Sequence, residues 1–139
     1  MPDIPAFIQR LNTLREAANI PGLSVAVVQD RAIVLATGLG YADVEHRIPA
    51  MAPTRSTRGE ALPYGIGWFV QKYQGHTFVW HSGWWPAAYS ALYLKIPTLK
   101  LTFILLANSD GVWWDNPLDR AAVERSQFAQ AFLHAFVFD

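Results

Sequence analysis

Residues 76–110 read HTFVWHSGWWPAAYSALYLKIPTLKLTFILLANSD. Three runs rich in β-branched and aromatic residues, Thr77–His81, Tyr89–Ile96 and Leu101–Ala107, succeed one another across short links. Runs of that length read as strands, and links too short for a crossover helix make neighbouring strands antiparallel. In the last run Phe103 and Leu105 oppose Ile104 and Leu106, so both faces of this strand are apolar and it belongs at the centre of a sheet.

The flanking sequence supplies the rest of the layer. Upstream, Leu23–Val28 and Ala32–Ala36 are two more strands, joined as a hairpin at Gln29-Asp30-Arg31. Val25 and Val27 face away from Ala26 and Val28, which is the two-sided pattern again. Gly38-Leu39-Gly40 has no third glycine and opens no helix, so it reads as a loop rather than a phosphate cradle. A further run spans Tyr64–Tyr73. Asp3 before Pro5 is a helix-start signal, and Ile4, Phe7, Ile8, Leu11, Leu14 and Ala18 form one apolar stripe after it. Asn116-Pro117 is read as the start of a final helix whose Ala121, Phe128, Phe132, Ala135 and Phe136 share a face. Between the two halves, residues 47–62 (RIPAMAPTRSTRGEAL) are polar and aperiodic and read as a linker. The expected fold is α+β, one domain over 1–139, with an antiparallel sheet of five or six strands and both terminal helices on one face.

Composition narrows the function classes. The 139 residues are 52% hydrophobic and 16% charged, which suits one buried core. The 11 basic and 11 acidic side chains cancel, and no basic cluster interleaves with aromatics, so no nucleic-acid partner is expected. Apolar runs are too short to cross a bilayer, so no membrane span is expected either. The opening MPDIPAFIQRLNTL lacks the basic and continuous apolar regions of a secretory leader. Cysteine is absent, and His46, His76 and His134 have no ligand spacing, so neither a metal nor another cofactor is expected.

Several stretches taken in order resemble the serine β-lactamase-like family, which includes class C β-lactamases, DD-peptidases and penicillin-binding-protein-like esterases. They are Ile20–Val28 followed by Gly38–Asp43, then Pro63–Trp68, His81-Ser82-Gly83 and Leu105–Asp110. His81-Ser82-Gly83 resembles the family's third motif, Lys-Thr-Gly or His-x-Gly. The resemblance implies that His81 faces the cleft and either stabilises developing charge or hydrogen-bonds the leaving group. It implies further that Ser82 binds a substrate carboxylate, that Gly83 is a substrate-binding residue beside it, and that the Trp84 backbone N–H supplies half an oxyanion hole. It also places the first strand beside the last, Ser24–Val28 against Thr102–Leu106. The family is often periplasmic or secreted.

The family's nucleophile is the serine of Ser-x-x-Lys, where one helical turn brings the lysine beside the hydroxyl as a base. The lysines here are Lys72, Lys95 and Lys100, preceded three places earlier by Phe69, Leu92 and Pro97, so the motif does not occur in these residues. No tyrosine is followed two places on by asparagine or serine, so the second motif is missing as well. The resemblance implies a large helical subdomain after a segment such as Arg47–Ala50; here the sequence passes, near Met51, to what resembles the segment rejoining the sheet. Ser82 is a poor substitute nucleophile, because strand neighbours point to opposite faces and Trp80 stands where a nucleophile elbow has glycine. A plainer reading has His81 ending a strand and Ser82-Gly83 turning it. Trp84-Trp85 and Trp113-Trp114 are read as loop residues that pack under a missing subdomain or a partner, with stacking of sugar rings or an aromatic ligand as the alternative. The expectations are therefore a truncated, catalytically incompetent hydrolase-like domain, a weak esterase or ligand-binding domain using His81, or a scaffold. A small β-lactam, ester or peptide ligand and a homodimer through the uncovered sheet face are the expected partners.

Overall fold

A computed structural model describes residues 2–20, 22–40, 63–65, 68–116 and 120–138. The linker expected at 47–62, together with Asp43, Glu45 and His46, lies outside the described residues. The chain forms helix α1 (Ile4–Ala17), strands β1 (Gly22–Gln29), β2 (Ala32–Gly40), β3 (Tyr64–Gly65), β4 (Trp68–Tyr73), β5 (His76–Trp85), β6 (Tyr89–Ile96) and β7 (Leu101–Ala107), and helix α2 (Gln127–Phe136). All seven strands make one sheet in the order β2-β1-β7-β6-β5-β4-β3, every pairing antiparallel. Six are full strands and β3 is a two-residue edge piece.

Local chemistry sets most of the boundaries. Asp3 accepts the Ala6 N–H at 2.9 Å and Pro5 occupies the first turn, which starts α1. Asn19, with φ 53°, leaves the helix in the left-handed region that asparagine tolerates. Gly111 sits where a Cβ would come within 2.6 Å of Ile20 Cγ1 and 2.9 Å of the Ala18 carbonyl, so only glycine lets the 111–114 loop close on the end of α1.

The first strand does lie beside the last: Val25 pairs with Leu105, Ala26 with Ile104 and Val27 with Phe103. Leu23, Val25, Val27, Leu101, Phe103, Leu105, Leu92, Leu94, Phe78 and Trp80 are buried under the helices. Phe7 of α1 and Phe132 of α2 both meet the Phe103 ring, at 6.1 and 4.6 Å, and Phe7 meets Phe136 at 5.0 Å. Both helices therefore sit on one face. Residues of the alternate register, Ala26, Val28, Ile104, Leu106, Ala91 and Tyr93, remain partly exposed on the other.

Four expectations change. Gly38-Leu39-Gly40 belongs to β2, because its backbone pairs with Gly22, Leu23 and Ser24. The run Tyr64–Tyr73 is two strands that pair with each other, Tyr64 with Phe69 and Gly65 with Trp68. Trp84 and Trp85 are not in a loop: β5 continues to Trp85 because Gly83, Trp84 and Trp85 keep pairing with β6. Finally, α2 begins at Gln127, not at Asn116-Pro117. Ser126 is its cap, accepting the Ala129 N–H at 3.2 Å, while Asn116 donates to the Arg120 carbonyl and Ala121 precedes the helix. Among the described residues no helix is long and apolar enough to cross a membrane.

Candidate functional site

The site builds outward from β5. Its pairing with β4 covers only His76–Trp80, so from His81 onward the outer edge of β5 carries no described strand. Across its inner edge His81 pairs with Tyr93, Ser82 with Leu92, Gly83 with Ala91 and Trp84 with Ser90. Alternation then sends His81 and Gly83 to the open face and Ser82 and Trp84 to the helix face. The two nearest candidates for a nucleophile–base pair thus sit on opposite sides of the sheet.

His81 stands in an aromatic enclosure. The Tyr64 hydroxyl and His81 Nε2 are 2.8 Å apart, and the rings of Tyr64, Phe69 and Trp68 lie 5.7, 6.2 and 6.4 Å from the imidazole. Trp68 also meets Tyr93 edge-on at 4.9 Å. Burial lowers the His81 pKa from its ordinary 6.5, and a hydrogen bond with the Ser82 backbone partly opposes this. Burial raises that of Tyr64, so its hydroxyl keeps its proton. At neutral pH the pair is an uncharged imidazole against an uncharged phenol. Because a phenol both donates and accepts, the contact persists in either imidazole tautomer. A ligand that needs Nε2 must displace Tyr64.

Such a pair can hydrogen-bond a carbonyl or accept a proton from water. It lacks the fixed positive charge that a lysine in the same place would bring. Ser82 carries no described hydroxyl contact to a base, and its backbone is held in the β5–β6 ladder. Trp84 stacks on Trp113 at 5.5 Å, and Trp113 and Trp114 continue a ring series to the buried Trp80. Four of the six tryptophans thus form one ring series, with Trp84 at its exposed end, 44% exposed. Among the described residues no cluster of three His, Asp or Glu side chains is placed to hold a metal ion.

Tyr64 was not legible as a site residue. Its position in Pro63–Trp68 was visible, but only the β3–β4 hairpin shows that a residue 17 places upstream reaches His81. The cross-strand partner Tyr93 was hidden for the same reason: register, not spacing, brings it alongside.

No protein-family model matches the chain. It is similar to Penicillin-binding protein 4* of Bacillus subtilis (strain 168), with 36% identity over 62 residues, 44% of this chain. The match spans only 14% of that protein's length. This likeness supports a distant relationship to penicillin-binding and β-lactamase-like proteins.

Proposed function

We propose that this chain is a β-lactamase-like domain that binds the carbonyl end of a small ester, peptide or lactam at His81-Ser82-Gly83 and does not acylate itself. The observation that carries the reading is the His81 environment: a ring held against Tyr64 beside the outer edge of β5, with Ser82 directed to the opposite side of the strand. The sequence supports it from the other side, since no Ser-x-x-Lys occurs in these residues. A polarised carbonyl is a suitable guest for a neutral imidazole and a strand edge with no described partner, whereas an acyl-enzyme needs a hydroxyl with a base in reach. Intact-mass spectrometry after prolonged exposure to a fluorophosphonate and to a β-lactam is the direct test, with unmodified protein expected. An adduct, above all on Ser82, would sink the proposal.

A second reading has its own support. The lowered pKa keeps His81 unprotonated at neutral pH, the state in which an imidazole removes a proton from water attacking an activated ester. In that case hydrolysis of 4-nitrophenyl acetate exceeds buffer and falls to the buffer rate in His81→Ala. A rate unchanged by the substitution removes this reading and leaves the binding one.

A further inference from the structure

Beyond His81, strands β5 and β6 present a short grid on the open face. Three cross-strand pairs point the same way: His81 with Tyr93, Gly83 with Ala91, and Trp85 with Tyr89. Two aromatic rows therefore bracket a row of the two smallest side chains. Successive rows are about 6.5–7 Å apart and the strands about 5 Å. The outer rows stand roughly 13 Å from each other, and the gap between them accommodates one flat ring lying over Gly83 and Ala91.

Among the described residues, two observations mark the gap as unfilled rather than merely small. A Cβ built on Gly83 meets only Ala91 Cβ, at 3.7 Å, and the backbone is not in the left-handed region. The chain's own packing therefore does not require glycine there. Trp85 and Tyr89 are 62% and 54% exposed, and neither ring stacks on the other or on any other described ring. Their neighbour Trp84, directed to the other face, is by contrast stacked on Trp113. These two exposed rings, unstacked on any described ring, form one wall of the trough and face the His81–Tyr93 row across a floor of hydrogen and methyl.

We propose that this trough is a subsite for an aromatic ring, the side chain of a neutral peptide-like amide whose carbonyl reaches His81. It rests on the carbonyl-binding reading given above and adds the class of side chain. An aromatic guest fits better than a sugar. The floor offers only hydrogen and methyl, and among the described residues no carboxylate or amide side chain stands in the three rows to pair with ring hydroxyls. Ring–ring contact with Trp85 and Tyr89 at offset or edge geometry supplies the recognition. Of the described charges, Lys95 lies one row beyond Tyr93, and Asp110 accepts the Ala87 N–H at 3.0 Å in the turn between Trp85 and Tyr89; neither stands in the three rows.

The test uses N-acetyl-phenylalaninamide and N-acetyl-alaninamide, which share their carbonyls and differ by the ring, with methyl β-glucopyranoside as the sugar probe. Dissociation constants are read by saturation-transfer NMR on the whole chain and on Trp85→Ala, Gly83→Val and His81→Ala, each checked for folding by circular dichroism. The phenyl compound is expected to bind about tenfold more tightly than the alanine compound. Trp85→Ala and Gly83→Val, which remove part of that wall and raise the floor respectively, each abolish that ratio; His81→Ala weakens both amides equally. If the ratio is near one, or survives both trough substitutions, or the glucoside binds as well as the phenyl compound, the subsite is wrong. A ratio that depends on Trp85 and Gly83 while His81→Ala changes nothing keeps the subsite and overturns the carbonyl-binding reading instead. Should one variant fail to fold, the other decides.

Discussion

The contact between Tyr64 and His81 joins two groups that are both harder to charge than they would be in water. Its pH consequence has a definite sign. The folded-state pKa of His81 lies below the unfolded value of about 6.5, so near and below that pH the unfolded chain binds more protons than the folded one. The stability tied to His81 is complete above about pH 6.5 and is lost as the pH falls through the depressed value. NMR titration of the His81 ring should give a midpoint below 6.5, and the urea midpoint of the protein should drop in mild acid by less in His81→Asn. A ring midpoint at or above 6.5 contradicts the buried setting. His81-Ser82-Gly83 stood out in the sequence as a triplet, and alternation along a strand already separated His81 from Ser82. The partners of His81 did not stand out, because Tyr64, Trp68 and Tyr93 reach it through strand register, which no local pattern encodes.

At the scale of elements, one buried polar side chain fastens the sheet to the segment before α2. Gln71 of β4 accepts the indole N–H of Trp80 at 3.2 Å and the Val123 backbone N–H at 3.1 Å, and its amide donates to Glu124. The 3-10 turn Val123–Arg125 is thus tied across 52 residues to the strand beside it. Gln71→Leu keeps similar bulk and leaves two buried donors without acceptors, at about 1–3 kcal/mol each. Urea denaturation should show a loss of roughly 2–6 kcal/mol on that basis; a loss below about 0.5 kcal/mol, the range of ordinary surface changes, would mean that the turn is held by apolar packing alone. This tie also explains an element that sequence reading misplaced. Asn116-Pro117 carries a strong helix-start signal, but α2 waits for Ser126, because residues 123–125 are first drawn to Gln71. The central strands were legible because their two-sided apolar runs admit one position in a sheet. Gly38-Leu39-Gly40 and Trp84-Trp85 were not, since glycine and tryptophan pairs look like strand ends until a neighbouring strand is long enough to carry them.

For the molecule as a whole, the decisive asymmetry is between its two sheet faces. The helices bury Val25, Val27, Phe103 and Leu105, yet Ala26, Val28, Ile104 and Leu106 on the reverse stay partly exposed. Ile33, paired with Val28, is 69% exposed at one flank of that face, and Val70, paired with Val79, is 46% exposed at the other. At roughly 25 cal/mol per Å2, association must cover about 600 Å2 to offset a rigid-body cost of up to ~15 kcal/mol. A standard interface covers about 800 Å2 on each partner, so an interface of standard size would clear that threshold. A two-fold arrangement is the simplest closed solution, because each apolar face then meets its own copy and no further surface is left to propagate. Light scattering at micromolar concentration is expected to give twice the 15.6 kDa chain mass, and Ile33→Lys combined with Val70→Lys to return it to the monomer. The paired charges discriminate, since lysines on the two flanks cost a monomer little and confront desolvation in a face-to-face dimer. A wild-type chain that scatters as a 15.6 kDa monomer would show that the open face is stable in water without a second copy.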